Sequence, residues 1–391
     1  MNHSRHGIRA ALAGITALAL LATACGGGQD SNPSGPADLA KLDAGNYPIS
    51  PRDLEKERTA ETGAIQEAIK LGSFVPLITD LDSRLVHGRI TAAGKITPQH
   101  PPTTWVTPSE KFTEFVPGLV AGWRTAGSRR ENPNLGLNVE LALLRFTSAE
   151  LAVNAARVLA EETHKTNPPK HPLEIAGYPG HTFLSYNDAV ETWLPRGDYV
   201  VKLFIRNVLA TPPDPAPLLD FAKRALDKQF ELLQGYAPTA ADKLSENPID
   251  PEGLLARTLP SPDLGTDEDH TGVYPVAAEL HLRSRPDMMK RAYDDAKVDL
   301  IATAGSQIYR TGDPAAAERL LAALTEGLTA SFYPYDSPPG LPDAKCYKAK
   351  SGSTFGCYLT YEHLLAEVVA SQPQDLNQKM AAQYKLLTHG R

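Results

Sequence analysis

Residues 138–165 read NVELALLRF-TS-AELAVNAARVLAEETHK, and this stretch decides the fold class. Asn138–Phe146 alternates between apolar and polar residues and then becomes continuously apolar, which predicts a strand. Ser148 is a favourable N-cap residue. The apolar residues after it recur at helical spacing, so we expect a strand that leads directly into a helix.

Three more strand-like pieces and a closing helix follow this stretch. The pieces are His181–Tyr186, Ala189–Leu194 and Tyr199–Asn207, and the helix covers Ala216–Gln234 with one apolar side. In outline the order is β-α-β-β-α, with one further strand-like piece before the closing helix. It predicts an α+β unit, in which helices pack on one face of a mainly antiparallel sheet.

The same order returns near the C-terminus, which predicts an internal repeat. A strand over Val298–Arg310 precedes a helix that opens at Asp313-Pro314, with proline at the first helical position. Strands continue to His363–Ala370, and a helix over Gln374–Leu387 ends the unit.

The two copies are related by a nearly constant offset. Arg145 aligns with Tyr309 and Tyr199 aligns with His363 at the same offset. The closing helices carry similar strings, QFELL in the first copy and QYKLL in the second. At this offset Thr182 and Trp193 fall on Cys346 and Cys357, which predicts packing in one copy where the other has a cross-link. The alternative is chance, because this order of elements is common.

The N-terminal segment up to Cys25 resembles an export signal that ends in the lipobox of bacterial lipoproteins. Arg5 and Arg9 precede an apolar run of roughly 14–17 residues, too short for a span of about 20. The run ends in Leu21-Ala22-Thr23-Ala24-Cys25. We expect cleavage before Cys25, a diacylglyceryl group on its thiol, and attachment to the outer face of the cell membrane. An ordinary secretory signal with an incidental cysteine is the alternative.

The two other cysteines, Cys346 and Cys357, flank a Ser-Gly-Ser turn between two strand-like segments. An even pair in an exported chain favours a disulfide. A free-thiol or metal pair is the alternative, although the spacing is too long for CxxC chemistry. We therefore expect a cross-linked hairpin.

Composition shifts predict the domain boundaries. Gly, Ser and Pro dominate the region after Cys25, and Pro, Asp and Glu are frequent around Ala237–His270. Within the latter, Asp250–Pro260 is too apolar for a free spacer, and we expect it to pack between the domains. The expected parts are a signal peptide (1–24), a flexible tether (25–41), a first α+β domain (42–240), a linker (241–270) and a second α+β domain (271–391).

Four separated segments resemble one family. They are LDAGNYPISPR at 42–52, DPEGLLARTLP at 250–260, GVYPVAAELHL at 272–282 and QDLNQKMAAQYKLL at 374–387. Together they look like actinobacterial surface lipoproteins of the mycobacterial and nocardial type that carry a domain of unknown function. The resemblance covers nearly the whole chain. It implies a surface lipoprotein with two α+β parts and no established activity.

Charge and motifs exclude several function classes. The chain has 39 Lys and Arg against 46 Asp and Glu, a net charge of −7, which does not suit the clustered cations that nucleic acid requires. The sequence has no metalloprotease, phosphate-loop or dinucleotide motif, and Thr354 stands where a GxSxG string would need serine. We expect neither a cofactor nor a metal, although Asp267–His270 could offer ligands to a cation. His281 lies in an apolar alternation, and we expect it to point outward from a strand rather than to act as a base.

Five aromatic residues could line an apolar ligand groove: Trp105, Trp123, Trp193, Tyr333 and Tyr335. Core packing is the alternative for each. We expect a groove, if one exists, between the two copies where Asp250–Pro260 crosses. The sequence thus favours a non-catalytic protein that binds a lipid, peptide, cell-wall fragment or partner protein at the envelope. An envelope hydrolase with a dispersed site is the alternative.

Overall fold

The computed structural model describes residues 37–102, 105–106, 111–186, 188–261 and 270–390. The expected signal peptide, Cys25 and most of the expected tether lie outside these residues, as do Asp267–Asp269. The described tail of the tether contains a short 3-10 turn over Leu39–Lys41.

The first domain is built on an eight-stranded antiparallel sheet. Helix α1 begins after Thr59, whose hydroxyl caps the backbone of Thr62. The helices are α1 (Ala60–Gly72), α2 (Ile78–Leu81), α3 (Phe112–Phe115), α4 (Ala149–Thr166) and α5 (Ala216–Leu233). The strands are β1 (His87–Gly88), β2 (Gly94–Ile96), β3 (Leu119–Ser128), β4 (Leu137–Phe146), β5 (His171–Pro172), β6 (His181–Ser185), β7 (Ala189–Arg196) and β8 (Tyr199–Asn207).

The second domain has a seven-stranded antiparallel sheet. Its strands are β9 (Gly272–Pro275), β10 (Leu300–Thr303), β11 (Gln307–Arg310), β12 (Phe332–Tyr335), β13 (Lys345–Ala349), β14 (Phe355–Tyr361) and β15 (Leu364–Ala370). Its helices are α6 (Val276–Glu279), α7 (Pro286–Ala296), α8 (Pro314–Thr325) and α9 (Pro373–Thr388). The side chain of Asp313 caps α8 at Ala316, as the Asp-Pro pair predicts.

The two domains repeat one topology, which confirms the α+β class and the two similar units. The first sheet contains the order β3-β4-β8-β7-β6-β5, and the second contains β10-β11-β15-β14-β13-β12. Strands β8 and β15 therefore occupy equivalent positions, as the repeat predicts. Arg145 pairs with Tyr199 as Arg310 pairs with Leu364, so the strands are related by an offset one position longer than the sequence match indicates.

The helices of each domain lie on both faces of its sheet, which corrects the expectation that they share one face. In the first domain Leu141 and Leu143 pack with α5, whereas Ala142 and Leu144 pack with α4. Successive strand residues point to opposite faces, so the two helices sandwich the sheet. The unbroken apolar run Leu141–Leu144 of β4 has this physical cause, since a strand covered on both faces needs apolar residues on both sides.

The segment that begins at β9 joins the two domains. Tyr274 and Ala278 belong to the core of the first domain. Lys95 Nζ donates to the carbonyl of Thr271 over 3.1 Å, and the amide of Gly88 donates to the carbonyl of Ser284 over 2.9 Å. The two sheets therefore belong to one compact unit that runs from Ala37 to Arg391.

Two further segments cover the second domain. Leu42 lies in its core and accepts a 2.8 Å hydrogen bond from Lys385, so residues from 42 onward pack on the second sheet before the chain enters the first. Leu254 and Leu255 pack against Val273 and Ala302 of the second domain. The apolar residues of Asp250–Pro260 are thus buried rather than exposed as a spacer.

Candidate functional site

A cleft of about 610 Å³ lies between the two domains, where the segment that crosses from one to the other passes. Helix α1 and Phe74 form one wall of the cleft, and β9 and β10 form the other. The segment that links the two domains, which we call the crossing segment, closes one end through Asn247–Pro248 and Pro251–Glu252. This position agrees with the groove expected between the copies.

The walls of the cleft are mainly apolar. Ile69 and Phe74 contribute from the first domain, and Val273 and Leu300 contribute from the second. Pro248, Pro251 and Pro275 add rigid apolar surface without backbone donors. Such walls suit a ligand with an apolar body.

Among the charged residues that line this cleft, Glu67 is the most buried. Its side chain is fully buried on α1, and Oε1 accepts hydrogen bonds from Arg145 Nη1 at 2.9 Å and from the amide of Thr239 at 2.9 Å. The hydroxyl of Tyr236 donates to the same oxygen. Burial and the neighbouring Glu67 raise the pKa of Tyr236, so this phenol stays protonated as a donor.

The second carboxylate oxygen of Glu67, Oε2, has no partner among the described residues. Buried carboxylate oxygens are normally hydrogen-bonded, and one without a partner carries a desolvation cost. An N–H or O–H donor that reached this oxygen would remove this cost. The structure therefore combines apolar walls with one acceptor that lacks a donor.

Two cations stand at the edge of the cleft. Lys70 Nζ contacts the carbonyl of Ala237 and lies 5.6 Å from the ring centre of Tyr236. Arg310 donates to Glu252 over 3.1 Å and holds Asp299 with two bonds of 2.8 and 2.7 Å. The hydrogen bonds to Asp299, which outweigh partial burial, raise the pKa of Arg310, so its charge is permanent. Both signs of charge thus flank the apolar walls.

Two residues supply the hydroxyl groups of the cleft. Among the described residues that line it, the hydroxyls are those of Ser73 and Thr239, and no histidine or cysteine lies beside them. Nucleophilic catalysis requires a base within hydrogen-bond reach of the nucleophile. Elsewhere in the described part of the chain, no group of three or more His, Cys, Asp or Glu residues is placed to hold a metal ion.

The structure does not bring the five predicted aromatic residues together. Trp105 and Trp193 meet edge-to-face at 5.2 Å in the core beneath α4. Trp123 is buried in the core cluster on the other face of the sheet. Tyr335 packs on Phe355 of the second domain at 5.0 Å, and Tyr333 is 59% exposed. The tryptophans fill the first domain, so the core-packing alternative describes them.

His281 is buried, which corrects the expectation that it points outward. It lies on a 3-10 turn over Leu280–Leu282 rather than on a strand. Its Nδ1 lies 2.8 Å from the hydroxyl of Thr125, and its ring lies 5.9 Å from that of Trp123. Burial lowers the pKa of His281 to about 4, so the imidazole is neutral at pH 7. The residue belongs to the junction between the domains.

The disulfide between Cys346 and Cys357 is confirmed. The two residues face each other across β13 and β14 with their Cα atoms 4.1 Å apart. The cysteines belong to the core under α9. Loop-closure entropy makes such a bond worth roughly 3 kcal/mol.

The patterns considered in the sequence do not predict helix α1, and they therefore do not single out Glu67. One signal was available: in ETGAIQEAIKLG, Glu67 shares the apolar face with Ala64, Ala68 and Leu71. A glutamate on the buried face of an amphipathic helix requires a specific partner. Its partner Arg145 is 78 positions away along the chain, so the pair itself could not be recognised.

Comparison with known families identifies the family of the chain. Residues 54–249 match the N-terminal domain of unknown function DUF7373, and residues 254–390 match its C-terminal domain. The chain belongs to the DUF7373 family. The two matched parts correspond to the two domains, and they meet where the crossing segment begins. No curated protein shows significant similarity to the chain. None of the helices in the described residues is both long and apolar enough to cross a membrane.

Proposed function

We propose that this DUF7373 protein is an actinobacterial-type surface lipoprotein that binds a ligand without transforming it. Acylated Cys25 holds it at the outer face of the cell membrane, and the cleft between the domains receives the ligand. The observation that carries the binding role is Glu67, a fully buried carboxylate with one unpartnered oxygen at the side of an apolar cleft.

The ligand class follows from the walls of the cleft. The ligand has an apolar body that contacts Ile69, Phe74 and Leu300, and a donor group that reaches Glu67. A lipid with a hydroxyl or amine group, or an apolar peptide with free amide donors, meets both requirements. A volume near 610 Å³ fits a molecule of the size that such sites enclose.

The anchor rests on the lipobox-like residues Leu21–Cys25, and the disulfide Cys346–Cys357 supports an oxidising compartment. Two acyl chains give the strength that stable anchoring needs, at roughly 0.8 kcal/mol for each buried CH₂. Because Cys346 and Cys357 form a disulfide, Cys25 is the cysteine whose thiol is available for modification.

Detergent partitioning of Cys25→Ala tests the anchor. We expect wild-type protein to enter the detergent phase and the variant to stay aqueous or unprocessed. Cys346→Ser serves as the matched control, since it alters a cysteine without touching the proposed modification site. Normal cleavage and unchanged partitioning of Cys25→Ala would refute the lipoprotein assignment.

A further inference from the structure

The tip of the disulfide hairpin carries an unusual concentration of positive charge and exposed apolar surface. We define the hairpin tip as Tyr333 and Lys348–Thr354. The hairpin from Lys345 to Tyr361 contains three lysines and no acidic residue, in a chain whose net charge is −7. Asp336 and Asp343 precede it in the neighbouring loop.

The lysines of the tip have aromatic rather than acidic neighbours. Lys348 Nζ lies 5.5 Å from the ring centre of Phe355, and Lys350 Nζ lies 5.2 Å from that of Tyr333. Neither lysine forms an ion pair with a carboxylate of the described residues, whereas lysines such as Lys223, Lys290 and Lys379 do. Their charge is therefore available to an outside partner.

An exposed aromatic side chain accompanies these lysines. Tyr333 is 59% exposed and stands directly opposite Lys348 in the sheet. A tyrosine beside lysines is the composition that favours the boundary between water and lipid headgroups.

We infer that the hairpin tip docks on the anionic surface of the membrane that holds the lipid anchor. This inference rests on the anchor proposed above. The chain enters the compact unit at Ala37, which packs against the same core as Cys346 and Tyr335. The stretch from Cys25 to Ala37 is short, and its full extension is about 40 Å. The anchor can therefore bring the tip, which lies on the same domain, to the membrane.

The anchor also makes a weak attraction sufficient. Each lysine near an anionic surface favours the docked state about fivefold. Two or three lysines would not recruit a free protein, but a tether holds the tip at an effective concentration in the millimolar range. The disulfide keeps the hairpin in one conformation, so docking costs little ordering entropy.

The rate at which single lysines are chemically acetylated on vesicles tests this inference. The chain from Cys25 onward has one free thiol, because the other two cysteines form the disulfide. Coupling that thiol to a maleimide lipid anchors the protein without relying on acylation in the cell. We would compare vesicles of phosphatidylcholine with an equal mixture of phosphatidylcholine and phosphatidylglycerol, and measure acetylation rates of single lysines by mass spectrometry.

We expect Lys348 and Lys350 to react at least about fivefold more slowly on the mixed vesicles, and the difference to vanish in about 1 M salt. The exposed Lys170 and Lys243 of other surfaces serve as internal controls and should not change.

Equal rates for Lys348 and Lys350 on both vesicles would overturn the inference. If soluble polyglutamate slowed them instead, the partner would be an acidic macromolecule rather than a membrane. Because the anchor is chemical in this experiment, such a failure leaves the Cys25→Ala result untouched, and the two proposals can fail separately.

Discussion

The hydroxyl oxygens of Thr182 and Thr192 lie 2.7 Å apart in the buried first sheet, at the position where the second sheet carries its disulfide. Thr192 stands opposite Leu203 as Cys357 stands opposite Val368, so the two pairs are equivalent. One domain thus joins the two strands by a hydrogen bond, and the other joins them by a covalent bond. The sequence offset instead matches Cys357 with Trp193, the next residue along β7. That offset is one position shorter than the offset between the paired strands.

The double substitution Thr182→Cys/Thr192→Cys should therefore create a second disulfide. The two residues are directly paired across antiparallel strands, as Cys346 and Cys357 are. Intact mass and peptide mapping of protein secreted by an oxidising host should show a bond between positions 182 and 192 beside the native one. Two free thiols at these positions would contradict the structural equivalence of the domains.

Removal of the native disulfide should destabilise the protein moderately. For a separation of 11 residues, we expect Cys346→Ser/Cys357→Ser to lower the free energy of unfolding by about 3 kcal/mol, because the unfolded chain regains loop entropy. Urea unfolding would measure it. Loss of all structure would contradict the view that the core under α9 also holds this domain.

The stability of the domain junction should depend on the protonation of His281. Its pKa is lowered to about 4 by burial, against 6.5 for an exposed histidine. Below pH 6.5, His281 binds a proton in the unfolded chain but not in the folded chain. The free energy of unfolding therefore falls as the pH drops from 6.5 towards 4. From pH 7 to pH 5 this group should remove about 2 kcal/mol.

Urea unfolding of His281→Gln at both pH values isolates this contribution. We expect the variant to lose about 2 kcal/mol less than wild type between pH 7 and pH 5. His171→Gln, which alters an exposed histidine, is the control and should behave as wild type. Equal losses in all three proteins would show that His281 does not titrate as its burial requires.

The pair Lys202–Glu140 should be costly to break from one side. Lys202 Nζ lies 2.6 Å from Glu140 Oε1, and both side chains are nearly buried beneath α4. Lys202→Met leaves a charge without its counterion and should cost about 3–5 kcal/mol. The double variant with Glu140→Gln should recover part of this loss, since the amide oxygen still accepts from Trp105 Nε1. A double variant no more stable than Lys202→Met would contradict this account.

The sequence predicted the parts of the fold that depend on local pattern. Strand β4, helix α4, the repeat and the cross-linked hairpin all follow from apolar periodicity, capping residues and cysteine spacing. The placement of helices on both faces was missed, although the unbroken apolar run Leu141–Leu144 is what a doubly covered strand requires.

The site depends on contacts that no local pattern contains. Glu67 meets Arg145, Tyr236 and Thr239 only after the chain has folded, and His281 reaches Thr125 across 156 positions. The groove predicted from aromatic residues is wrong because a tryptophan in a core and a tryptophan in a groove cannot be distinguished in the sequence. What the sequence did indicate was the location, since the cleft lies beside Asp250–Pro260, which is too apolar for a free spacer.

Native mass spectrometry of protein purified from its own membranes tests the binding role most directly. Leu300→Trp would fill the cleft from β10, where Leu300 is half-buried, and Leu135→Trp would place the same ring at a 56% exposed site elsewhere. We predict a non-covalently bound species on wild type and Leu135→Trp that is absent from Leu300→Trp. No bound species on the wild-type protein, or equal occupancy in all three, would contradict a ligand site between the domains.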